Sequence, residues 1–269
     1  MKTLTVLKLG GELFEAADAR ARIADNIAAI FDSTSGPLVI VHGGGKAIDA
    51  ELGRRGIAPK KVDGLRITDA DTLEAVVAVL AGSANTSLVS ALVARGVKAV
   101  GLTGVDAGCG RAMHAAPLTS TSGAVVDLGL VGDPTDADPA LLNTLIGAGY
   151  VPVVACLGVD DAGQVLNVNA DVMACRFAEA LGRQMGDASH VELVIAGTTA
   201  GVFDSAGATI PSLDIDGMDA LIASGAANAG MVAKLNACRT SLEAGVSAVK
   251  IVDGKDLKTG TTLVTGVRA

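Results

Sequence analysis

The 269-residue sequence has very few aromatic side chains: four Phe, one Tyr and no Trp. It also lacks an excess of basic residues, since 21 Lys and Arg stand against 29 Asp and Glu, for a net charge of −8. Proteins that bind nucleic acids present basic surfaces and often stack bases on aromatic rings. The composition therefore predicts no nucleic-acid partner, and an anionic small ligand would have to be held by a few local groups.

Cysteine is also scarce, and the four that are present lie far apart, without the close pairs of a zinc site or a thioredoxin-type motif. Cys109, Cys156, Cys175 and Cys238 are expected to be buried, small apolar residues. The start "MKTLTVLKLGG" has no long apolar segment or small-residue cleavage site, and no apolar run is expected to approach the roughly 18 residues that span a bilayer. We expect a soluble cytoplasmic protein with no membrane contact.

What the sequence does contain is a hydrophobic content of 50%, enough for two lobes or one large α/β unit. Short, almost uncharged, β-branched runs predict strands that are buried on both faces. Segments with one apolar helical face lie between them. This alternation is typical of an α/β fold with a mainly parallel central sheet, helices on both faces and ligands at the carboxyl ends of the strands. The predicted strands cover residues 3–9, 37–41, 99–102 and 151–155.

A second lobe is predicted to begin near Val168. Its first helix, in "NVNADVMACRFAEALG", is expected to end at Gly182, and a strand is expected from Val191. A further helix, in "AGMVAKLNACRTSLEAG", is expected to end before Gly245. In the first lobe, "DTLE" at residues 71–74 resembles a capping box at the start of a helix.

Two glycine-rich loops are expected at the same edge of the sheet. "KLGGE" at residues 8–12 ends the first strand, and "VHGGGKAID" at residues 41–49 ends the second strand and opens a helix. Glycine lets main-chain N–H groups approach a ligand, and a helix N-terminus favours an anion. Either loop alone is also typical of a simple turn, and neither matches the P-loop or dinucleotide spacing. Together they predict a cradle for phosphate or carboxylate.

Three further motifs place polar residues where folding alone does not require them. "GLRITD" carries Arg66, for which the alternative interpretation is an ordinary surface arginine. "NVNAD" carries Asn167, Asn169 and Asp171, and the alternative interpretation of this motif is an ordinary helix N-cap. "AGMVAK" carries Lys234 near the start of a helix, where a cation opposes the helix dipole at a cost of about 0.3–1 kcal/mol. Such broken local rules point to function.

With "VLAGSANTSL", these motifs occur in an order and spacing that resembles the acetylglutamate branch of the amino acid kinase family, over nearly the whole chain. The resemblance implies an αβα sandwich, the amino acid kinase (carbamate kinase-like) fold, with two lobes. Residues 1–167 would bind the acyl-amino acid and form a homodimer, and residues 168–269 would bind ATP. It implies transfer of the γ-phosphoryl group of ATP to the side-chain carboxylate of N-acetyl-L-glutamate, the second step of arginine biosynthesis.

Two alternatives to this activity stay open. One is a kinase of the same fold for another acceptor, such as glutamate, another acyl-amino acid or a nucleoside monophosphate. The other is a non-catalytic regulator that binds ligands on this fold. The resemblance also implies Mg²⁺ that is carried by the nucleotide phosphates, without metal ligands from the protein.

The resemblance also implies roles for single residues. Lys8 and Lys234 would stabilise the transition state, and Asp171 would hold both lysines. Phosphoryl transfer between two anions needs positive charge and N–H donors more than a base, so His42 is expected to be structural. The substrate-binding residues would be Gly44, Gly45, Arg66, Asn167 and Asn169. The nucleotide-binding residues would be Gly11, Thr198, Thr199, Ala200, Gly201, Val202, Phe203, Ala226, Ala227 and Asn228.

The sequence departs from the family pattern on the nucleotide side. Thr198 stands where an acidic residue is expected, and Ala229 stands where glycine is frequent. Residues 182–192 form a longer segment than in close relatives, without an assigned function. In this family, an extra N-terminal helix accompanies arginine-inhibited hexamers, and here the first strand is predicted from about residue 3. We therefore expect an arginine-insensitive homodimer.

Overall fold

The computed structural model describes residues 3–34, 36–185, 190–227 and 229–265. Its helices are α1 (Ala17–Thr34), α2 (Gly45–Arg54), α3 (Ala70–Val77), α4 (Asn85–Val93), α5 (Ala140–Gly147), α6 (Ala170–Met185), α7 (Ile215–Ala223) and α8 (Ala229–Glu243). Short 3₁₀-helices cover Gly11–Leu13 and Asp106–Gly108, and a π-helix covers Ala78–Ala84.

The strands of the first half of the chain are β1 (Leu4–Leu9), β2 (Leu38–His42), β3 (Lys61–Val62), β4 (Leu65–Arg66), β5 (Ala99–Thr103), β6 (Gly110–His114), β7 (Leu118–Thr119) and β8 (Val125–Val126). Those of the second half are β9 (Val131–Ala137), β10 (Val151–Ala155), β11 (Leu157–Val159), β12 (Val165–Val168), β13 (Val191–Gly197), β14 (Ser212–Leu213), β15 (Ala248–Asp253) and β16 (Gly260–Leu263).

The central sheet has eight strands in the order β14-β16-β15-β13-β1-β2-β10-β5. Its pairs are parallel except for β15 with β16. Helix α6 packs on β1, β2 and β13 and contacts α8, whereas α4 packs on β5 and β10 and contacts α1. The predicted αβα sandwich with a mainly parallel sheet is therefore confirmed. Strands β6, β9, β11 and β12 form a small barrel beside it, and β3–β4 and β7–β8 form hairpins.

The two halves of the chain occupy different halves of this sheet. Strands from residues 4–155 lie on one side and strands from residues 191–263 on the other, and they meet where β1 pairs with β13. Helix α6 crosses this junction because it packs on both of those strands. A boundary near Val168 falls just before α6, and the division into two lobes stays a prediction.

The predicted strands of the first lobe agree with the structure to within one residue at each end. The capping box at residues 71–74 is wrong, because Asp69 is the N-cap of α3 and its Oδ1 accepts a hydrogen bond from the N–H of Thr72 at 2.9 Å. Gly182 does not end α6, which continues to Met185. A glycine inside a helix costs only about 1 kcal/mol, and the buried Leu181 beside it holds the helix on the core.

Among the described residues, the continuous helix formed by α3, the π-helix and α4 is the one that is both long and apolar enough to cross a membrane. It spans the 24 residues Ala70–Val93, and an 18-residue window within it has a mean hydropathy of 1.8, so it could cross a membrane by length and composition alone. The expectation that no run is long enough was wrong, since no charged residue lies between Glu74 and Arg95. In the structure this helix packs on the core of the sandwich through buried side chains, which are Leu73, Val76, Leu80, Leu88 and Leu92.

The four cysteines are buried free thiols, as predicted. Burial raises the pKa of Cys109 to about 11 and the pKa values of Cys156 and Cys175 to about 12. Burial also raises the pKa of Cys238 well above its ordinary value. These thiols stay protonated and apolar in the core.

Candidate active site

The two glycine loops touch each other at the carboxyl ends of β1 and β2. These strands are parallel neighbours with Leu9 opposite His42, so the loops that follow them begin side by side. A Cβ built on Gly11 would lie 2.6 Å from the Cα of Gly44. Only glycine fits at this approach, and the two loops face one space as the sequence predicts.

The start of α2 offers free N–H groups to this space. Gly44 is its N-cap and Gly45 its first residue, so their N–H groups have no partner within the helix. The N–H of Ala47 is already used, because it donates to Oε1 of Glu15 at 3.1 Å. The helix dipole adds partial positive charge at the same end. An anion is thus favoured beside Gly44 and Gly45.

Asp171 joins two lysines that come from distant parts of the chain, one on a strand and one on a helix. Nζ of Lys8, on β1, lies 2.9 Å from Oδ1 of Asp171, and Nζ of Lys234, on α8, lies 3.3 Å from Oδ2. All three side chains are largely buried: Lys8 is 12% exposed, Asp171 22% and Lys234 20%. Burial would raise the pKa of Asp171, but the charges of Lys8 and Lys234 outweigh it and lower that pKa below its ordinary value. The carboxylate therefore stays ionised and holds both cations at one point.

The two asparagines of "NVNAD" have different contacts. Oδ1 of Asn169 accepts from the N–H groups of Asp171 at 2.8 Å and Val172 at 3.3 Å, so its oxygen serves as an ordinary cap for α6. Nδ2 of Asn167, on β12, donates to Oγ1 of Thr68 at 3.1 Å. Both residues line the same cavity as the glycine loops.

Arg66 is a buried residue of β4, so its interpretation as a surface arginine is wrong. Its side chain is 7% exposed, and Nη2 contacts Oδ1 of Asp49 at 2.6 Å and donates to the carbonyl oxygen of Gly45 at 3.1 Å. Its Nη1 is buried with no hydrogen-bond partner among the described residues. The other oxygen of Asp49 lies 2.6 Å from Nζ of Lys61 on β3. Arg66 is therefore oriented by Asp49 and keeps one donor free.

A cavity of about 290 Å³ lies between these groups. Of the predicted site residues, it is lined by Lys8, Gly11, Gly44, Gly45, Arg66, Asn167, Asn169 and Asp171. Lys234 is not part of the lining and reaches the site through Asp171. Sequence reasoning missed Lys61 and Glu12, which also line the cavity. It also missed Asp49, whose carboxylate contacts both Lys61 and Arg66 of the β3–β4 hairpin. The signal for Asp49 was its place four residues after Gly45, one turn into the helix that the glycine loop opens.

The predicted nucleotide residues lie elsewhere, in the loops after β13 and α7, and except for Gly11 they do not line this cavity. Thr198 and Thr199 are exposed directly after β13, beside the end of β1. Val202 is buried, and its N–H donates to Oγ1 of Thr261 at 2.8 Å. Phe203 is 41% exposed. Of this set, the exposed threonines and Phe203 are open to a ligand, whereas Val202 is part of the core.

The remaining predicted nucleotide residues are small. Ala200 and Ala227 are partly buried, and Gly201 is buried with a φ of 114°, where a side chain would be strained. Ala226 is exposed, and its N–H donates to Oγ of Ser224 at 3.3 Å. Asn228 lies outside the described residues, as do residues 186–189 of the longer segment before β13.

His42 has a structural role, as expected. Its Nε2 lies 3.0 Å from the amide Nδ2 of Asn85, which can only donate, so Nδ1 carries the proton and donates to the carbonyl oxygen of Gly43 at 3.0 Å. The ring packs edge-on against Phe14 at 5.4 Å. Burial lowers the pKa of His42 to about 4, so the imidazole is neutral at pH 7. It supports the second glycine loop and does not reach the cavity lining.

Comparison with known proteins agrees with this geometry. A model of the amino acid kinase family matches residues 3–253. The acetylglutamate kinase of Symbiobacterium thermophilum is 41% identical over 253 residues, which cover 93% of this chain and 84% of that protein. The acetylglutamate kinase of Afipia carboxidovorans is 42% identical over 254 residues, which cover 93% and 83%. The crystal structure of smu.665 from Streptococcus mutans has a TM-score of 0.79 at 27% identity and covers 99% of this chain and 100% of that chain.

Proposed function

The chain belongs to the amino acid kinase family, and on this premise we propose that it transfers the γ-phosphoryl group of ATP to the side-chain carboxylate of N-acetyl-L-glutamate. The product would be N-acetyl-L-glutamyl 5-phosphate, in the second step of arginine biosynthesis. One observation carries the proposal: Asp171 joins Lys8 and Lys234 directly beside two glycine loops. The relatives at about 40% identity support the choice of acceptor over other acids.

The chemistry of the site suits phosphoryl transfer between two anions. The attacking carboxylate is ionised at neutral pH, so no general base is needed. The charge on the transferred group spreads over its oxygens, and Lys8 and Lys234 would stabilise that charge from two sides. The N–H groups of Gly11, Gly44 and Gly45 would add donors that need no reorganisation during the reaction. Asp171 keeps two neighbouring cations together that would otherwise repel each other.

The acceptor would be held by groups that do not take part in the transfer. We propose that Arg66 binds the α-carboxylate through its free Nη1, because a hydrogen bond between a guanidinium and a carboxylate is short and strong. Asn167 would bind the α-carboxylate together with Arg66, and Asn169, which lines the same cavity, would also contact the acceptor. Asp49 would fix the guanidinium through Nη2 and so set the direction of the donor that remains.

ATP would bind in the lobe of residues 168–269, and the acceptor in the lobe of residues 1–167. The exposed Thr198 and Thr199 follow β13, which is the neighbour of β1, so a nucleotide there would point its phosphates at Lys8. The donors around the glycine loops are ammonium and N–H groups, which suit phosphate oxygens, and of the two carboxylates that line the cavity, that of Asp171 is already held by Lys8 and Lys234. Mg²⁺ would therefore be bound to the phosphates of ATP and add positive charge there.

We further propose that the protein is a homodimer in a reducing, cytoplasmic compartment. After Glu74, the outer face of the helix Ala70–Val93 is uncharged, with exposed Ala78, Ala81 and Thr86, and with Val93 at 54% exposure. A second copy could cover such a face. The four free cysteines suit a compartment in which disulfides are rare. Light scattering is expected to give twice the chain mass, and a monomer or a hexamer would contradict the dimer.

Coupled detection of ADP tests the function. N-acetyl-L-glutamate should support ADP release with a kcat/KM at least about 10²-fold higher than L-glutamate, L-aspartate or UMP, because a site that binds the substrate's polar groups rejects acceptors that leave them unpaired. Faster release with one of the other three acceptors would favour a different kinase. ADP release with none of them would favour a non-catalytic protein.

A further inference from the structure

Helices α6 and α8 lie side by side and run in the same direction. Asp171 near the start of α6 contacts Lys234 of α8, and eight residues later Glu179 contacts Ser241, which is seven residues after Lys234. At 1.5 Å per residue the two contacts are about 10–12 Å apart along the helices. The first contact belongs to the proposed active site, and the second is not used by the proposed mechanism.

The second contact is a buried carboxylate between two helices. Glu179 is 2% exposed, and Ser241 is fully buried. Oε1 of Glu179 accepts from Oγ of Ser241 at 3.0 Å, and Oε2 accepts from Nη1 of Arg176 at 2.8 Å. Arg176 lies one turn before Glu179 on α6 and fixes the direction of the carboxylate. A buried charge with both oxygens bound costs much desolvation for little stability, so its use here calls for another explanation.

We propose that Glu179 and Ser241 are positioning residues, which fix α8 on α6 so that Lys234 meets Asp171. This inference rests on the proposed function of Lys234. It concerns the placement of one catalytic cation and not the binding of either substrate.

The geometry favours this pair over the other contacts of α8. Leu235 and Leu242 are buried, but apolar packing has no preferred direction and tolerates small rotations. The Lys234 side chain has four rotatable bonds and is 20% exposed, so its ion pair adapts to a shifted helix. The serine hydroxyl is one bond from the helix backbone, and a charged acceptor makes its hydrogen bond strong and directional. A loss of this bond would let α8 rotate or slide relative to α6.

The hydroxyl of Ser241 has a second acceptor within its own helix, which it can bond instead of Glu179. The carbonyl oxygen of Ala237, four residues earlier on α8, lies 3.3 Å from Oγ of Ser241. The carboxylate is closer and charged, so it is the preferred acceptor. Without Glu179 the hydroxyl would keep only the carbonyl oxygen of Ala237 and the weakly bonding thiol of Cys175 on α6, and α8 would lose its charged, directional link to α6.

The first test compares Ser241→Ala with Thr240→Ala in steady-state kinetics with ATP and N-acetyl-L-glutamate. Ser241→Ala should lower kcat by about tenfold, since a displacement of 1 Å near the reacting group costs up to about 10²-fold. The KM for N-acetyl-L-glutamate should stay the same, because Arg66 and Asn167 are not on α8. Thr240 is exposed, and among the described residues its hydroxyl bonds only to the carbonyl oxygen of Asn236 on the same helix, so Thr240→Ala should keep kcat within about twofold.

A double-mutant cycle with Lys234→Ala separates positioning from loss of stability. If Ser241 acts through Lys234, Ser241→Ala has no further effect on kcat once Lys234 is absent. The same tenfold loss in both backgrounds would overturn the inference. Glu179→Gln keeps an acceptor oxygen for Ser241 and should retain most of the kcat, whereas Glu179→Ala should not.

Two further variants separate a failure of this inference from misfolding and from a failure of the proposed mechanism. If Ser241→Ala does not fold, Glu179→Met/Ser241→Ala removes the carboxylate as well, leaves the 38% exposed Arg176 side chain to turn its charge to solvent, and should show the same loss of kcat. An unchanged kcat in a folded Ser241→Ala or Glu179→Met/Ser241→Ala, with Lys234→Ala impaired, overturns only this inference. A wild-type kcat in Lys234→Ala would instead overturn the proposed mechanism.

Discussion

Gly11 and Gly44, on two different loops, approach so closely that a Cβ on Gly11 would lie 2.6 Å from the Cα of Gly44. Both groups are backbone, so neither can rotate away. Gly11→Ala should push the loops apart and lower kcat by about 10²-fold, the loss expected from a 1 Å displacement of groups at the reacting centre. Steady-state kinetics checks this, with circular dichroism to show that the variant is folded.

Gly53→Ala is the matched control for this substitution. Gly53 lies inside α2, and a Cβ there would meet nothing within 4 Å. Alanine in a helix is more stable than glycine by roughly 0.5–1 kcal/mol, so this variant should be active and slightly more stable. Equal activity of Gly11→Ala and Gly53→Ala would mean that the close approach has no importance for the reaction.

Arg66→Ala should mainly raise the KM for N-acetyl-L-glutamate. A charged hydrogen bond contributes about 1.5–3 kcal/mol, which corresponds to a rise of about 10- to 10²-fold. The contact is made equally in the ground state and the transition state, so kcat and the KM for ATP should change little. Arg54→Ala, which removes a 73% exposed arginine of α2, should change neither KM. An unchanged KM for the acceptor in Arg66→Ala would remove Arg66 from the acceptor site.

His42 predicts a pH dependence of stability. Its folded-state pKa of about 4 lies below the ordinary value of 6.5, so between these pH values the unfolded chain binds a proton that the folded chain does not. The free energy of unfolding should therefore fall as the pH falls from 6.5 to 4, by about 1.4 kcal/mol per pH unit for this group. Above pH 6.5 the group should have no effect.

Urea denaturation of wild type and His42→Gln across this pH range measures the difference. The variant should lack this part of the slope, whereas His190→Gln, which changes an exposed histidine, should keep it. Parallel curves for wild type and His42→Gln would show that His42 is not buried as a neutral ring.

The glycine loops and the sheet could be predicted from the sequence because their signals are local. A buried parallel strand is a short β-branched run, and the end of β1 and of β2 is marked by glycine within a few residues. The neighbouring position of the loops then follows from the order of parallel strands. The same reasoning placed Lys8 and the glycines at one edge, where the structure has them.

Contacts between distant segments could not be predicted in this way. The pair of Arg66 with Asp49 depends on how the β3–β4 hairpin lies on α2, and no local pattern contains that arrangement. The local sequence predicts a helix end at Gly182, whereas the packing of the buried Leu181, which holds α6 on the core, exists only in the fold. The same holds for Glu179, whose partner Ser241 is 62 residues away.

The most direct test of the account is kcat in Lys8→Ala and Asp171→Asn, measured by ADP release at saturating ATP and N-acetyl-L-glutamate. Each variant should lose about 10²- to 10³-fold in kcat, as for the loss of one transition-state donor, and stay folded by circular dichroism. Lys98→Ala, which removes an exposed lysine outside the cavity, should keep the wild-type kcat. Wild-type kcat in both Lys8→Ala and Asp171→Asn would contradict the account and place the reaction away from the two glycine loops.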